Sequence, residues 1–248
     1  MKKTFKYCLL GLAFLPLTSQ ALGIDSMIRF TEKGRTNFTI TSGADYRQFI
    51  QVGISQLDVK DGEIVKLPYT RENIDQWSLL VRPARAVIDP KLRKLFQVES
   101  MALKSNPVPQ DQAYQLSFVP TPYFEKGEPV THAVKVAMGF APIVVVPASQ
   151  DKPIHYEMKY VQDGLTLINN GETYLRAVLD ACPEDTKVKE RDSCSTVVYA
   201  LSGRKLPIAL YGSMLNASEI DVELSTHNSD YKEAFTLKLG QTSTNKGV

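Results

Sequence analysis

Leu57-Asp58-Val59-Lys60-Asp61-Gly62-Glu63-Ile64-Val65 is the stretch on which the fold turns. Short runs containing apolar residues flank an Asp-Gly pair, the dipeptide that most readily takes the two positive φ values of a type I′ turn. The twist of that turn matches two paired strands, so the segment predicts an antiparallel hairpin. Working outward, Phe38 to Thr41, Phe49 to Ile54, Trp77 to Val81, Leu95 to Val98, Tyr114 to Val119 and Val134 to Val146 are rich in β-branched and aromatic residues. Asp89-Pro90 and Lys126-Gly127 mark turns between them. No long amphipathic helical pattern interrupts the series. Strands repeating every 8 to 12 residues or so predict an antiparallel sandwich.

After Val144-Val145-Val146-Pro147 the polar, proline-bounded stretch Ala148 to Pro153 carries no periodic pattern, and strand signals then resume. Tyr156 to Val161, Leu165 to Ile168, Thr173 to Leu179, Thr196 to Tyr199, Ile208 to Tyr211 and Phe235 to Leu239 form this second set. A chain of 248 residues, 43% of them hydrophobic, has room for two ordinary domains. The predicted boundaries are a first domain over 22–149 and a second over 150–248. The tail from Gly240 to Val248 reads as frayed.

Residues 1–21 read as a signal peptide: Lys2, Lys3 and Lys6, an apolar core from Cys8 to Leu17, then Ser19-Gln20-Ala21 as a small-x-small cleavage site. The apolar run is about half of the ~20 residues a membrane-spanning helix needs. The formal charge of +2 changes when the leader is set aside, because 29 basic residues less its three lysines leave 26 against 27 acids. With no basic stripe to neutralise phosphates, nucleic acid is excluded as a partner. Export also bears on the cysteines. Loss of Cys8 leaves Cys182 and Cys194, which an oxidising compartment would pair in one disulfide. The rival reading, zinc, lacks a nearby His or a CxxC pair to reach four ligands.

The chain offers little chemistry. His132, His155 and His227 are scattered without ligand spacing, so the expectation is no metal and no cofactor. Gly212-Ser213 lacks the preceding glycine and the strand-to-helix pattern of a nucleophile elbow and reads as a turn. Asp58 to Glu63 lacks the alternating ligands and terminal Glu of a calcium loop. Glu184-Asp185 and Glu190/Asp192 have no apolar setting that would raise a carboxyl pKa and read as a solvated face. No catalytic residues, and no enzyme, are expected.

Ordered local motifs add a resemblance. Asp25 to Phe30 with Gly34 and Phe38-Thr39-Ile40, then Trp77-Ser78-Leu79-Leu80-Val81-Arg82-Pro83 with Asp89-Pro90, are followed by Tyr114-Gln115-Leu116-Ser117-Phe118-Val119-Pro120, the strand Met138 to Pro147, and Gly164 to Tyr174 around Asn169. In that order they resemble the periplasmic chaperones of the chaperone-usher pathway that assemble pili, most closely the alternate, divergent branch. The resemblance covers nearly the whole chain after the leader. It implies an all-β protein of two immunoglobulin-like β-sandwich domains in a bent, boomerang arrangement, at work in the periplasm.

It also implies partners and a site. The partners would be pilin subunits and an outer-membrane usher, with self-association possible through the edge strand. A pilin of this class is an incomplete sandwich, and the chaperone lends it a strand by donor-strand complementation. Alternation along Val130 to Met138 puts Val130, Val134, Val136 and Met138 on one face as the donor residues and Lys135 on the other. Two basic residues of the family bind the subunit's C-terminal carboxylate, and the matching candidates are Arg29 and Lys135. Lys135 stands two residues ahead of the family's lysine position, which Ala137 occupies. The competing reading from the residues is a secreted or surface β-sandwich module that binds ligands, since a sandwich by itself does not fix a function.

Overall fold

The computed structural model describes residues 22–101, 109–122, 138–162 and 164–245. Strands over residues 23–146 build one sandwich. Its first sheet runs in the order β1 (Gly23–Ile24), β3 (Arg35–Thr41), β8 (Arg93–Ser100), β6 (Leu79–Arg82). The facing sheet runs β2 (Ile28–Phe30), β10 (Ile143–Val146), β9 (Gln112–Pro122), β4 (Gln48–Lys60), β5 (Glu63–Pro68), with β7 (Arg85–Ile88) also on β4. The predicted hairpin is present: Lys60 pairs with Glu63, leaving Asp61 and Gly62 as a two-residue loop at φ 53° and 80°.

Inward-facing residues of the two sheets meet in one apolar layer. Phe38, Phe96 and Phe118 are fully buried there, and the Phe96 and Phe118 rings meet edge-on at 5.1 Å. Strands over residues 156–245 build a second sandwich. One sheet is β15 (Lys205–Ile208), β12 (Gly164–Asn169), β11 (Tyr156–Val161), β18 (Thr242–Asn245); the other is β14 (Ser195–Ala200), β13 (Leu175–Asp180), β16 (Glu219–Ser225), β17 (Lys232–Lys238). Its core holds Tyr156, Met158, Leu165, Leu167, Ile220 and Leu224. The fold is all-β, two sandwiches in series. Cys182 and Cys194 are joined in a disulfide that straps the end of β13 to the start of β14.

Three local expectations are corrected. Trp77 does not start a strand; it ends a 3-10 turn over Arg71–Gln76, where its indole N–H donates to Asn73 and its ring stacks on Tyr69 at 5.1 Å. The Tyr69 hydroxyl accepts the N–H groups of Ser78 and Leu79, so pairing begins only at Leu79. The tail beyond Gly240 is not wholly frayed, because Thr242–Asn245 pairs with Tyr156–Lys159. The run predicted as one strand over Val134 to Val146 is described from Met138, and its regular part is Ile143–Val146. Pro142 has no N–H to give. Phe140 nevertheless exchanges both hydrogen bonds with Phe118, in the same register that pairs Ile143 with Gln115.

Candidate functional site

The site is built on β2, the three-residue strand at the edge of the second sheet. It lies parallel to β10, with Ile28, Arg29 and Phe30 opposite Ile143, Val144 and Val145. Opposed residues share a sheet face. Arg29 therefore leaves the sheet on the side of Val144, while Phe30 leaves on the other side. The Arg29 guanidinium bonds Asp25 at 3.1 Å with a side chain 39% exposed. Its Nε is buried and has no hydrogen-bond acceptor among the described residues. A partly exposed ion pair of this kind contributes about 0–1 kcal/mol, so Asp25 holds the arginine loosely and a better acceptor can take it.

Phe30 reaches the second sandwich. Its ring stacks on Tyr174 at 5.0 Å and meets Tyr199 at 5.1 Å and His227 at 5.8 Å. These three rings come from the segment before β13, from β14 and from the turn after β16. Between the sandwiches runs a cleft of about 540 Å³ lined by Ile28, Arg29, Phe30, Glu32, Arg35, Thr36, Asn37 and Tyr199. Arg35 is a second cation in this cleft, bonded to Glu99 at 3.3 Å with a side chain 75% exposed. An apolar groove beside it is lined by Ile28 together with Val197, Tyr199, Leu206 and Ile208 of β14 and β15.

Two carboxylates hold the junction. Asp111, ahead of β9, accepts the N–H of Ala148 at 2.6 Å and the N–H of Tyr174, and so ties the first sandwich to the connecting segment and to the second sandwich. Burial pushes its pKa up, because the charged form loses water, while the two N–H groups act in the opposite direction. Asp151 is buried and accepts from the Thr226 hydroxyl at 2.5 Å and the N–H of Asn228 at 2.8 Å, which fixes the turn carrying His227. The Tyr174 hydroxyl bonds Nδ1 of His227 at 2.7 Å, and burial with Asp111 nearby drives its pKa well above the ordinary tyrosine value. On the far side of the junction, Gly62 of the hairpin accepts the N–H of Lys205 at 2.9 Å, and Glu63 pairs with Arg204 at 2.6 Å.

The expected site residues fall in different places. Arg29 lines the cleft. Val130, Val134, Lys135 and Val136 lie outside the described residues, as does His132. Met138 is 70% exposed and outside any strand, one residue before Gly139, where any Cβ would come within 2.4 Å of the Phe118 carbonyl. Sequence reasoning missed Arg35, although a signal existed: Lys33-Gly34 is a two-residue turn at φ 49° and 76° that folds the chain back at the Glu32 and Arg35 bridge. It also missed Asp111 and the aromatic socket of Phe30, for which no local pattern existed. Among the described residues no group of three or more His, Cys, Asp or Glu is arranged to hold a metal ion.

Residues 24–147, the first sandwich, match the family described as the CS5 fimbrial protein N-terminal domain. The chain belongs to this family. The match spans both the arginine-bearing edge strand and β10. Solved structures extend the likeness of fold across both sandwiches. A chain of the complex of the Salmonella enterica SafA pilin with the SafB chaperone is 10% identical with a TM-score of 0.52, over 88% of this chain and 96% of that one. A chain of the CsuC-CsuE chaperone-tip adhesion subunit pre-assembly complex from archaic Csu pili of Acinetobacter baumannii is 14% identical at a TM-score of 0.51, over 89% and 100%. The class 5 fimbriae chaperone CfaA is 11% identical at 0.50, over 89% and 99%. No curated protein sequence matches the chain.

Proposed function

We propose that this member of the fimbrial family is a periplasmic chaperone for fimbrial subunits, which it keeps from aggregating and hands to an outer-membrane usher. The observation that carries the reading is the edge formed by β10 and β2. Phe140 directs both backbone groups at β9, so by the alternation of an antiparallel pair Gly139 turns its own to the outer side, while the Ala141 carbonyl accepts the side-chain amide of Gln115 at 3.4 Å. Beta2 covers that side only from Ile143 onward. A subunit strand added along this edge, which no described strand covers there, would end where β2 begins, next to Arg29, whose Nε has no acceptor among the described residues. Val130, Val134, Val136 and Met138 would supply alternate apolar side chains to the subunit's open groove. Arg29 would take the subunit's terminal carboxylate in charge-assisted hydrogen bonds, with Lys135 as its partner cation. The same open edge would let free copies associate.

The test is co-expression of the mature protein with a fimbrial subunit, followed by pull-down and a binding titration. Wild type is expected to keep the subunit soluble at equal stoichiometry. Loss of a charge-assisted contact costs about 1.5–3 kcal/mol, so Arg29→Ala should weaken binding roughly 10- to 100-fold. Lys135→Ala and Arg35→Ala, compared side by side, identify the second cation. A subunit that aggregates equally with and without the protein would overturn the function. A subunit that binds all variants alike would overturn the carboxylate assignment and leave strand lending standing.

A further inference from the structure

We infer that Phe30 is a positioning residue: seated in an aromatic socket of the second sandwich, it holds β2 against β10 and so fixes where Arg29 points. The inference rests on the carboxylate role proposed for Arg29 and adds what keeps that arginine in place. A three-residue strand at a sheet edge has little hold of its own. Its backbone ties to β10 are few, among them Ile143 N–H to Met27 and Thr31 N–H to Val145, both at 2.9 Å. A further contact comes from the Phe30 side chain, which lies within 6 Å of three rings, those of Tyr174, Tyr199 and His227.

That socket is itself anchored back to the first sandwich. Asp111 accepts the Tyr174 N–H, and Tyr174 in turn bonds His227. Pulling β2 away would therefore separate Phe30 from a socket that cannot follow it. Through Phe30 the second sandwich acts on the site by holding the strand that bears the guanidinium. A preset arginine spares the ligand the cost of ordering it.

Two readouts test this on the full mature chain. Amide hydrogen exchange reports the strand: in Phe30→Ala, exchange at Thr31 and Ile143 should speed up at least tenfold, while Phe38 and Phe96 in the opposite sheet stay unchanged. Titration of the Arg29 Nε–H resonance with acetyl-dialanine, as free acid and as amide, reports the site. Wild type should respond to the acid alone, and Phe30→Ala should need at least fivefold more of it. Asp111→Ala, which frees the socket without touching β2, should move both readouts in the same direction and serves if Phe30→Ala does not fold. Unchanged exchange at Thr31 and Ile143 would overturn the inference, and so would faster exchange with an unaltered response to the acid. Wild-type protein that ignores both peptides would overturn the carboxylate reading alone, since the exchange rates still decide whether Phe30 holds β2.

Discussion

Asn169→Ala should unfold the second sandwich at markedly lower denaturant. Asn169 is fully buried at the end of β12. Its amide donates to the carbonyls of Thr173 and Ala200, both at 2.9 Å, and its Oδ1 accepts the Gly171 N–H, also at 2.9 Å. Those three bonds shape the turn from Asn169 to Tyr174 and join it to the neighbouring sheet. Truncation strands three backbone groups. Each buried group left unmet costs about 1–3 kcal/mol, and water entering a polar gap recovers part of that, which gives about 3–5 kcal/mol in total. With a urea slope of roughly 1–3 kcal/mol per molar, the midpoint should fall by about 2 M. The assay is urea titration followed by far-UV circular dichroism, with fluorescence of Trp77, the single tryptophan, reporting the first sandwich separately. A fall of less than about 0.5 M would mean that solvent replaces these bonds freely, and the account of the turn would be wrong.

Asp111→Asn tests the buried carboxylate at the junction. The Asp111 pKa is raised in the folded state from its ordinary 3.8, so the folded protein binds that proton more tightly than the unfolded chain. Its contribution is greatest in acid and is lost as pH rises through the window that opens at 3.8. The stability of wild type minus that of the variant should therefore increase on going from pH 7 to pH 4, measured by urea titration at both. Gly62→Ala combines a positive φ of 80° with a Cβ that would sit 2.9 Å from Lys205 Cβ, whereas Gly240→Ala has φ 86° and nothing within 4 Å. Both should lose about 1 kcal/mol to backbone strain, and only Gly62→Ala should lose more, seen as a lower thermal midpoint. Replacing Cys182 and Cys194 together by serine opens a loop spanning 12 positions, and the chain-entropy account gives about 3 kcal/mol. Calorimetry should place that loss in the second sandwich.

Much of the fold was legible because its causes are local. Asp61-Gly62 could form little other than a tight hairpin, and Tyr114 to Val119 or Leu165 to Ile168 alternate in a way that only a half-buried strand satisfies. Trp77 was misread for the opposite reason. Its β propensity was overridden by Tyr69, whose hydroxyl and ring reach the segment from eight to ten residues away in the chain. The terminal strand escaped notice because Thr242 to Asn245 is polar, and its place in the sheet comes from β11.

The candidate site divides along the same line. Arg29 could be picked out because its neighbours in sequence carry a recognisable order. Arg35 shares its cleft only because the Lys33-Gly34 turn brings β3 back, and Asp111 reaches both Ala148 and Tyr174, 37 and 63 positions away. By itself the sequence determined the all-β class, the two sets of strands and the pairing of Cys182 with Cys194, since turn chemistry, alternation and cysteine count act within a few residues or within the whole composition. Only the tertiary structure decided that β2 lies parallel to β10, that Phe30 enters a socket of the second sandwich, and that Arg29 keeps a buried Nε without an acceptor among the described residues. Those facts depend on which distant segments end up side by side, and hydrogen bonding and ring packing across such distances leave no periodic trace along the chain.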